Sequence, residues 1–366
     1  MRKIAILFIF LTILAFSGCV QQSEMGKEME KVKVKDLAGR EVEVPKKVEK
    51  IVAIGPGALR LVVYLQATDK VVGVEDAEKR WETYTRPYRL ANPGLAELPT
   101  IGVGGPDDPK PNVEEIMKLK PDVIFAVVSA QYAENLQEKT GIPVVVINYG
   151  TLGNFRTREL FDSIRLMGKI LGKDKRAEEI ITYIENVVND LNKRTANAEK
   201  PAKVYVGGLG FKGQHGIVST TCRFPPFEVN NIFNENIACK VNTTAHIFID
   251  KEFLITEQPE IIFLDLGNLH LIKADYSKDK TFYSSLKAFN DGKVYGIYSF
   301  NFYNTNIEQA LVNSYWVGKV LYPEKFADLN IRDKANEIYE FFVGKKLYDE
   351  IASKYGELGR IDVSSW

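Results

Sequence analysis

This 366-residue sequence predicts an α/β fold of two lobes joined by one long helix. Three observations lead there. Short β-branched runs alternate with helical patterns in both halves of the chain. That rhythm breaks for about forty positions between 155 and 197, where no strand signal occurs. The halves also echo one another: each has a strand ending in a glycine turn, then a helix before a strand led by Pro-Asp or Pro-Glu. At roughly 100–200 residues per domain, the length accommodates two domains.

The elements follow in order. Arg2 and Lys3, an apolar run from Ile4 to Phe16 and then Ser17-Gly18-Cys19 form a segment too short to span a bilayer comfortably but suited to an export signal. The small residues before Cys19 resemble a lipoprotein processing box, which assigns 1–19 to a lipoprotein-type signal peptide and Cys19 to lipidation. Residues 20–31 are polar and read as a tether. In the first lobe, 32–154, Val32 and Val34 alternate with lysines, Ala38-Gly39 turns the chain, and Val42 and Val44 alternate again, a hairpin. Strands are expected at Ile51–Ile54, Val71–Val74, Val123–Val127 and Val144–Ile147, with helices around Ala58–Leu65, Val113–Leu119 and Tyr132–Lys139. Continuous apolar strands of this kind are those of a buried parallel sheet. Residues 155–198 form the connecting segment. It has Ile164, Met167, Ile170 and Leu171 at helical spacing, a stop at Gly172, and a second helix from Asp174 to Asn197, about 35 Å long. The second lobe, 199–366, resumes with strands at Val204–Val206, Ile261–Leu264 and Val294–Tyr298. Its helices are expected near Phe227–Phe233, Lys251–Glu257, Asn306–Leu321 and Ile331–Val343.

Composition excludes several functions. Lys+Arg and Asp+Glu both total 48, so the basic excess of a nucleic-acid binder is missing. Three cysteines and three histidines are too few for a disulfide scaffold, a zinc module or a clustered metal site. No cofactor and no protein-bound metal are expected.

Particular phrases carry a family resemblance. The run Asp36-Leu37-Ala38-Gly39-Arg40-Glu41-Val42-Glu43-Val44-Pro45, followed by Glu49-Lys50-Ile51-Val52-Ala53-Ile54, resembles the mature start of one class of ABC-transporter binding proteins. It is the iron(III)-chelate/siderophore and vitamin B12 class, the class III periplasmic-binding-protein family. Pro111–Ile116 with Leu119–Ile124, Gly141–Val144, Gly168–Gly172 with Arg176-Ala177, and Gln258–Ile262 agree in order along nearly the whole mature chain. The resemblance implies two Rossmann-like lobes, a rigid connecting helix and a ligand cleft between them. It also implies a protein that delivers a solute to an ABC permease and its ATPase and performs no chemistry.

In open α/β sheets, ligands lie beyond the carboxyl ends of the strands. After Ile54 come Gly55-Pro56-Gly57-Ala58-Leu59-Arg60, where free N–H groups at a helix start and the Arg60 guanidinium suit an anion. A plain strand-to-helix turn with a surface arginine would read the same way. The richer loop Gly207-Gly208-Leu209-Gly210-Phe211-Lys212-Gly213-Gln214-His215-Gly216 follows the first strand of the second lobe. Five glycines within ten positions point to a backbone-donor loop carrying Lys212 and His215, against the alternative of a flexible connector. His215 alone makes a poor iron site, with His246 and His270 far away in sequence, so a pre-chelated or anionic ligand is expected over a bare cation. Further candidates at strand ends are Tyr132, Tyr149, Asp265, Asn268 and the stretch Ser299–Asn306, including Asn301 and Tyr303. Aromatics beside amides suit a bulky chelate, although any one of them can equally be core. The irregular stretch Asp76–Pro111, with Arg80, Trp81 and Tyr84, is expected to overhang the cleft.

The resemblance also implies one permease-docking glutamate per lobe, Glu114 and Glu252 by position, where helix-dipole partners are the plain alternative. Whether Cys222 and Cys239 pair or remain buried thiols is open. The expectation is therefore a monomeric solute-binding lipoprotein on the outer face of the cell membrane. Its ligand is read as an iron(III) chelate or related metal complex, with molybdate, tungstate or a corrinoid as the alternatives. A chelatase-like enzyme is disfavoured, because such sites cluster histidines or cysteines. No nucleic acid is a partner.

Overall fold

The computed structural model describes residues 30–105, 108–151, 153–201, 203–242 and 246–366. Cys19, the export segment and most of the tether lie outside the described residues. Strands β1 (Lys31–Lys35) and β2 (Glu41–Pro45) pair antiparallel, with Val34 opposite Val42, as the alternation predicts. Asp36 closes the turn by accepting from the backbone N–H groups of Ala38 and Arg40 and pairing with the Arg40 guanidinium at 2.8 Å.

The first lobe continues through β3 (Ile51–Ile54), α1 (Ala58–Tyr64), β4 (Val71–Gly73), α2 (Asp76–Arg80), α3 (Pro87–Ala91), α4 (Val113–Leu119), β5 (Val123–Ala126), α5 (Ala130–Thr140) and β6 (Val144–Val146). Its four parallel strands lie in the order β4-β3-β5-β6. Every residue of β3, β5 and β6 is buried, which is why these strands read as unbroken apolar runs.

Helices α6 (Arg158–Leu171) and α7 (Asp174–Thr195) follow, with Gly172 in the left-handed conformation as the stop between them. The 22 residues of α7 reach about 33 Å. Ile180, Ile184, Val187, Val188 and Leu191 are all buried along one face, the stripe the spacing predicts.

The second lobe contains β7 (Val204–Gly207), β8 (Ser219–Thr221), α8 (Pro225–Glu228), β9 (His246–Phe248), α9 (Lys251–Glu257), β10 (Ile261–Asp265), α10 (Leu269–Lys278), α11 (Lys280–Ser285), α12 (Lys287–Asn290) and β11 (Val294–Ile297). It ends with α13 (Ile307–Leu321), α14 (Ile331–Val343) and α15 (Tyr348–Tyr355). Its parallel strands run in the order β11-β10-β7, while β8 and β9 pair antiparallel beside them. The helix expected at Phe227–Phe233 is instead the single turn of α8 and a separate 3-10 turn at Phe233–Glu235. Pro225-Pro226 starts α8 two residues early, and Asn231, at φ 59°, cannot continue it.

The two lobes are not separate bodies. One apolar cluster runs from Val44 of the hairpin through Leu61 and Tyr64 on α1 and Ile184 and Val188 on α7 to Leu311 on α13 and Phe342 on α14. The Tyr64 and Phe342 rings meet edge-on at 4.9 Å. Smaller clusters lie against each sheet, around Ile124 and Val144 in one and Tyr205 and Leu264 in the other. A wide apolar contact between lobes restrains their relative motion.

Candidate ligand-binding cleft

Five strand ends converge on one cavity of about 980 Å³. Pro56 follows β3, Val127 follows β5, Gly210–Gln214 follow β7, Asp265 ends β10, and Ser299 with Asn301–Asn304 follow β11. Arg80, Trp81, Glu82 and Thr85 close it from the first lobe, and Tyr355 from the end of α15. The cavity therefore lies where the carboxyl-end rule places it, with both lobes contributing walls.

The aromatic wall is held in place by its neighbours. Trp81 meets Phe302 at 5.8 Å and Tyr303 at 5.0 Å, edge to face in both cases, and the Arg86 guanidinium lies 5.7 Å over the Phe302 ring. Arg86 is itself buried and donates to Glu78 at 2.6 Å, so its charge is compensated. On the opposite wall, the Phe211 ring stacks on His246 at 4.3 Å, and His215 Nε2 lies 2.7 Å from the Phe211 carbonyl oxygen. Burial, and then the neighbouring His215, push the His246 imidazole down to about 4.

Two buried acids sit beside the cavity. Glu75 accepts from the Tyr303 hydroxyl at 2.5 Å and from the Gly55 N–H at 3.0 Å, which joins the two lobes. Burial raises its carboxyl to about 8 despite those two donors. Asp265, in the lining, accepts from the Ser299 hydroxyl and the Gly267 N–H, and burial raises it to about 7. Near neutral pH, then, Glu75 and Asp265 carry only part of their formal charge.

Of the residues singled out in the sequence, Gly210, Phe211, Lys212, Asn301 and Tyr303 line the cavity, together with Arg80, Trp81, Asp265, Asn268 and Ser299. Gly57, Ala58, Leu59, Arg60, Tyr132, Tyr149 and His215 do not. Arg60 is fully buried, and its guanidinium points into the loop after β11: Nε donates to Asn306 Oδ1, Nη1 to the Thr305 carbonyl and the Tyr149 hydroxyl, and Nη2 to the carbonyls of Phe302 and Tyr303. All five N–H groups are engaged within the protein, so the expected grip on an anion is corrected: Arg60 is an inter-lobe clasp. Tyr149 is buried beside it and donates to the Gly57 carbonyl at 2.8 Å. Gly57, at φ 84°, is required there, because a Cβ would lie 2.7 Å from the Tyr149 ring. Ala58 and Leu59 are buried core. Tyr132 points to Asp108 at the surface, its hydroxyl 3.2 Å from the carboxylate. His215 supports Phe211 from behind.

Sequence reading did not single out Glu82 and Thr85 within the stretch expected to overhang the cleft, Val127 at the end of an expected strand, or Tyr355, which stands in no recognisable pattern. It also held the histidines apart, whereas the β8–β9 pairing brings the His215 and His246 rings to 6.4 Å. Among the described residues, no group of three or more His, Cys, Asp or Glu side chains is arranged to hold a metal ion, and no helix is long and apolar enough to cross a membrane. Cys222 and Cys239 are joined in a disulfide, which closes the question left open above.

Comparison with known proteins gives a consistent family. Residues 51–299 match the periplasmic binding proteins. A molybdate-binding protein of Haemophilus influenzae, MolA, is 22% identical over 84% of this chain and 90% of its own. An uncharacterised ABC transporter substrate-binding lipoprotein of Bacillus subtilis, YvrC, is 23% identical over 46% of this chain, and the match spans about half (49%) of that relative's length. Among solved structures, a periplasmic solute-binding protein of Veillonella parvula superposes with a TM-score of 0.68 at 25% identity, covering 89% of this chain and 97% of that one.

Proposed function

We propose a function from one premise: the chain belongs to the periplasmic binding protein family, whose members bind solutes and are not enzymes. The protein is a receptor that captures an iron(III) chelate or related metal complex in the inter-lobe cleft and presents it to an ABC permease. The observation carrying this reading is the cleft itself. Its volume of about 980 Å³ is the size that encloses a drug-sized ligand. Trp81, Phe211, Phe302, Tyr303 and Tyr355 offer apolar area, Asn268, Asn301 and Asn304 offer orienting amides, and Arg80 and Lys212 offer cations. A chelate supplies its own metal ligands, which suits a cleft whose described residues include no clustered donor set.

In the same reading, residues 32–154 and 199–366 form the lobes and 155–198 connects them, with one monomer binding one ligand. Glu114 and Glu252 contact the permease. Lipid on Cys19 holds the protein at the outer face of the membrane. The lipoprotein-like box and the Cys222–Cys239 disulfide, which suits an oxidising compartment, support that location.

A small oxyanion is the second reading, favoured by the resemblance to MolA over most of both chains. It has lost the buried Arg60 as a donor and leaves most of the cavity unfilled. Calorimetric titration of refolded, ligand-free protein with ferric chelates, haem, corrinoids and molybdate separates the two. Saturable binding of a ferric chelate is expected; binding of molybdate without any chelate overturns the assignment.

A further inference from the structure

Asp265 ends β10, the middle strand of the second-lobe sheet, and lines the cavity while only 3% exposed. Its two carboxyl oxygens are used unequally. Oδ1 accepts twice, from the Gly267 N–H at 2.9 Å, which caps the 3-10 turn Leu266–Asn268, and from the Ser299 hydroxyl. Oδ2 has no hydrogen-bond partner among the described residues. It is not one of the sealed-in unpartnered oxygens either, so it opens on the cavity that Asp265 lines. Capping the turn uses one oxygen and leaves the second without a task. The pairing with Ser299 also depends on Gly267, where a Cβ would lie 2.2 Å from the Ser299 oxygen and push it off the acid. Around the carboxyl, the cavity wall holds Arg80 and Glu82 of the first lobe, Lys212 after β7 and Tyr355 at the end of α15. None of these forms an ion pair or hydrogen bond with Asp265 among the described residues. A buried carboxyl given two neutral donors and no cation favours its uncharged form, and burial accordingly raises this one to about 7.

We propose that Asp265 recognises the guest as a neutral acid, its Oδ2 hydroxyl donating a hydrogen bond to an oxygen acceptor on the bound solute. Two donors on Oδ1 mark that oxygen as the carbonyl end, which leaves the proton to Oδ2, the oxygen facing the cavity. Asp265 is then a specificity-determining residue. It favours a guest whose edge carries carbonyl, hydroxamate, carboxylate or oxyanion oxygens. An ionised carboxylate in the same place would repel that edge, so ionisation of Asp265 both removes a donor and adds a like charge. Solute capture is thereby linked to a proton: the guest holds it on Oδ2 and is released more readily as pH rises. This inference rests on the solute-binding reading above, and it holds for a chelate and for a small oxyanion alike.

The test titrates ligand-free wild-type protein, Asp265→Asn and Asp265→Ala with a ferric trihydroxamate, haemin, cobalamin and molybdate at pH 6 and pH 8. Wild type is expected to bind its solute about tenfold more weakly at pH 8 than at pH 6. Asp265→Asn puts an amide N–H where the acid O–H stands and should bind about equally at both pH values. Asp265→Ala has no donor and should bind roughly five- to tenfold more weakly than Asp265→Asn at either pH. Comparing variants at one pH cancels any titration of the solute itself. Infrared difference spectra of wild type against Asp265→Asn, recorded without solute, give a second readout. They should show the carbonyl stretch of a protonated carboxyl at pH 6 and its loss by pH 8. If no solute binds wild type, the solute-binding reading falls and this inference with it. If wild type binds equally at pH 6 and pH 8, or more tightly at pH 8, or if the infrared spectra show a carboxylate at pH 6, this inference alone is overturned.

Discussion

Arg60 shows how a residue read as a ligand contact can belong to the frame. Its five donors hold the carbonyls of Phe302, Tyr303 and Thr305, the Asn306 amide and the Tyr149 hydroxyl, and its guanidinium lies 4.7 Å over the Tyr88 ring. Lysine keeps the charge but not the planar fork. Arg60→Lys should therefore destabilise the protein by roughly 2–4 kcal/mol in urea denaturation. Ligand affinity should fall as well, because the loop it clasps carries Asn301–Asn304. Asp265 gives a pH signature. Its carboxyl is raised from 3.8 to about 7 in the folded protein, so the folded state holds the proton more tightly than the unfolded chain. Stability is then highest below about pH 4 for this group and is lost as pH rises through 7, by roughly 2–3 kcal/mol between pH 5 and pH 8. Asp265→Asn should flatten that decline in a melting series, and an unaltered slope would contradict the assignment. At this scale, Gly210, Phe211 and Asn301 were legible because they follow strand ends. Arg60 was misread because burial is not written in a Gly-Pro-Gly-Ala-Leu-Arg run; only the distant loop after β11 buries it.

Among the elements, the parallel strands and the long helices were legible, since period and continuous apolarity survive without tertiary context. The β8–β9 pair was not. Ser219–Thr221 is short and polar, and it becomes a strand only by lying against β7 and pairing with His246–Phe248. The Cys222–Cys239 disulfide ties the end of β8 to the 3-10 turn Ile237–Lys240 and closes a separation of 17 residues. Removing it by Cys222→Ser with Cys239→Ser should cost about 3 kcal/mol of stability. Because β8 supports Phe211 through His246, ligand affinity should also drop. Chemical denaturation and titration of the double variant check both outcomes, and unchanged affinity would show that the Phe211 wall does not depend on this strand pair.

For the whole molecule, the two-lobe plan was readable from the interrupted rhythm, but the union of the lobes was not. Val44, Tyr64, Ile184, Leu311 and Phe342 share one apolar cluster, and the Glu75–Tyr303 bond and the Arg60 clasp cross the cleft floor. These contacts join residues more than two hundred positions apart, a separation no local pattern reports. The architecture that results is a cavity with walls from both lobes and hydrogen bonds that join them beside it. The most direct test is a crystal of natively purified protein, with diffraction recorded on both sides of the iron absorption edge. The account predicts an iron anomalous peak inside the cavity bounded by Trp81, Phe211 and Asn301, surrounded by density for an organic chelator. A cleft without iron, or a metal peak bound directly by protein side chains elsewhere, would contradict it.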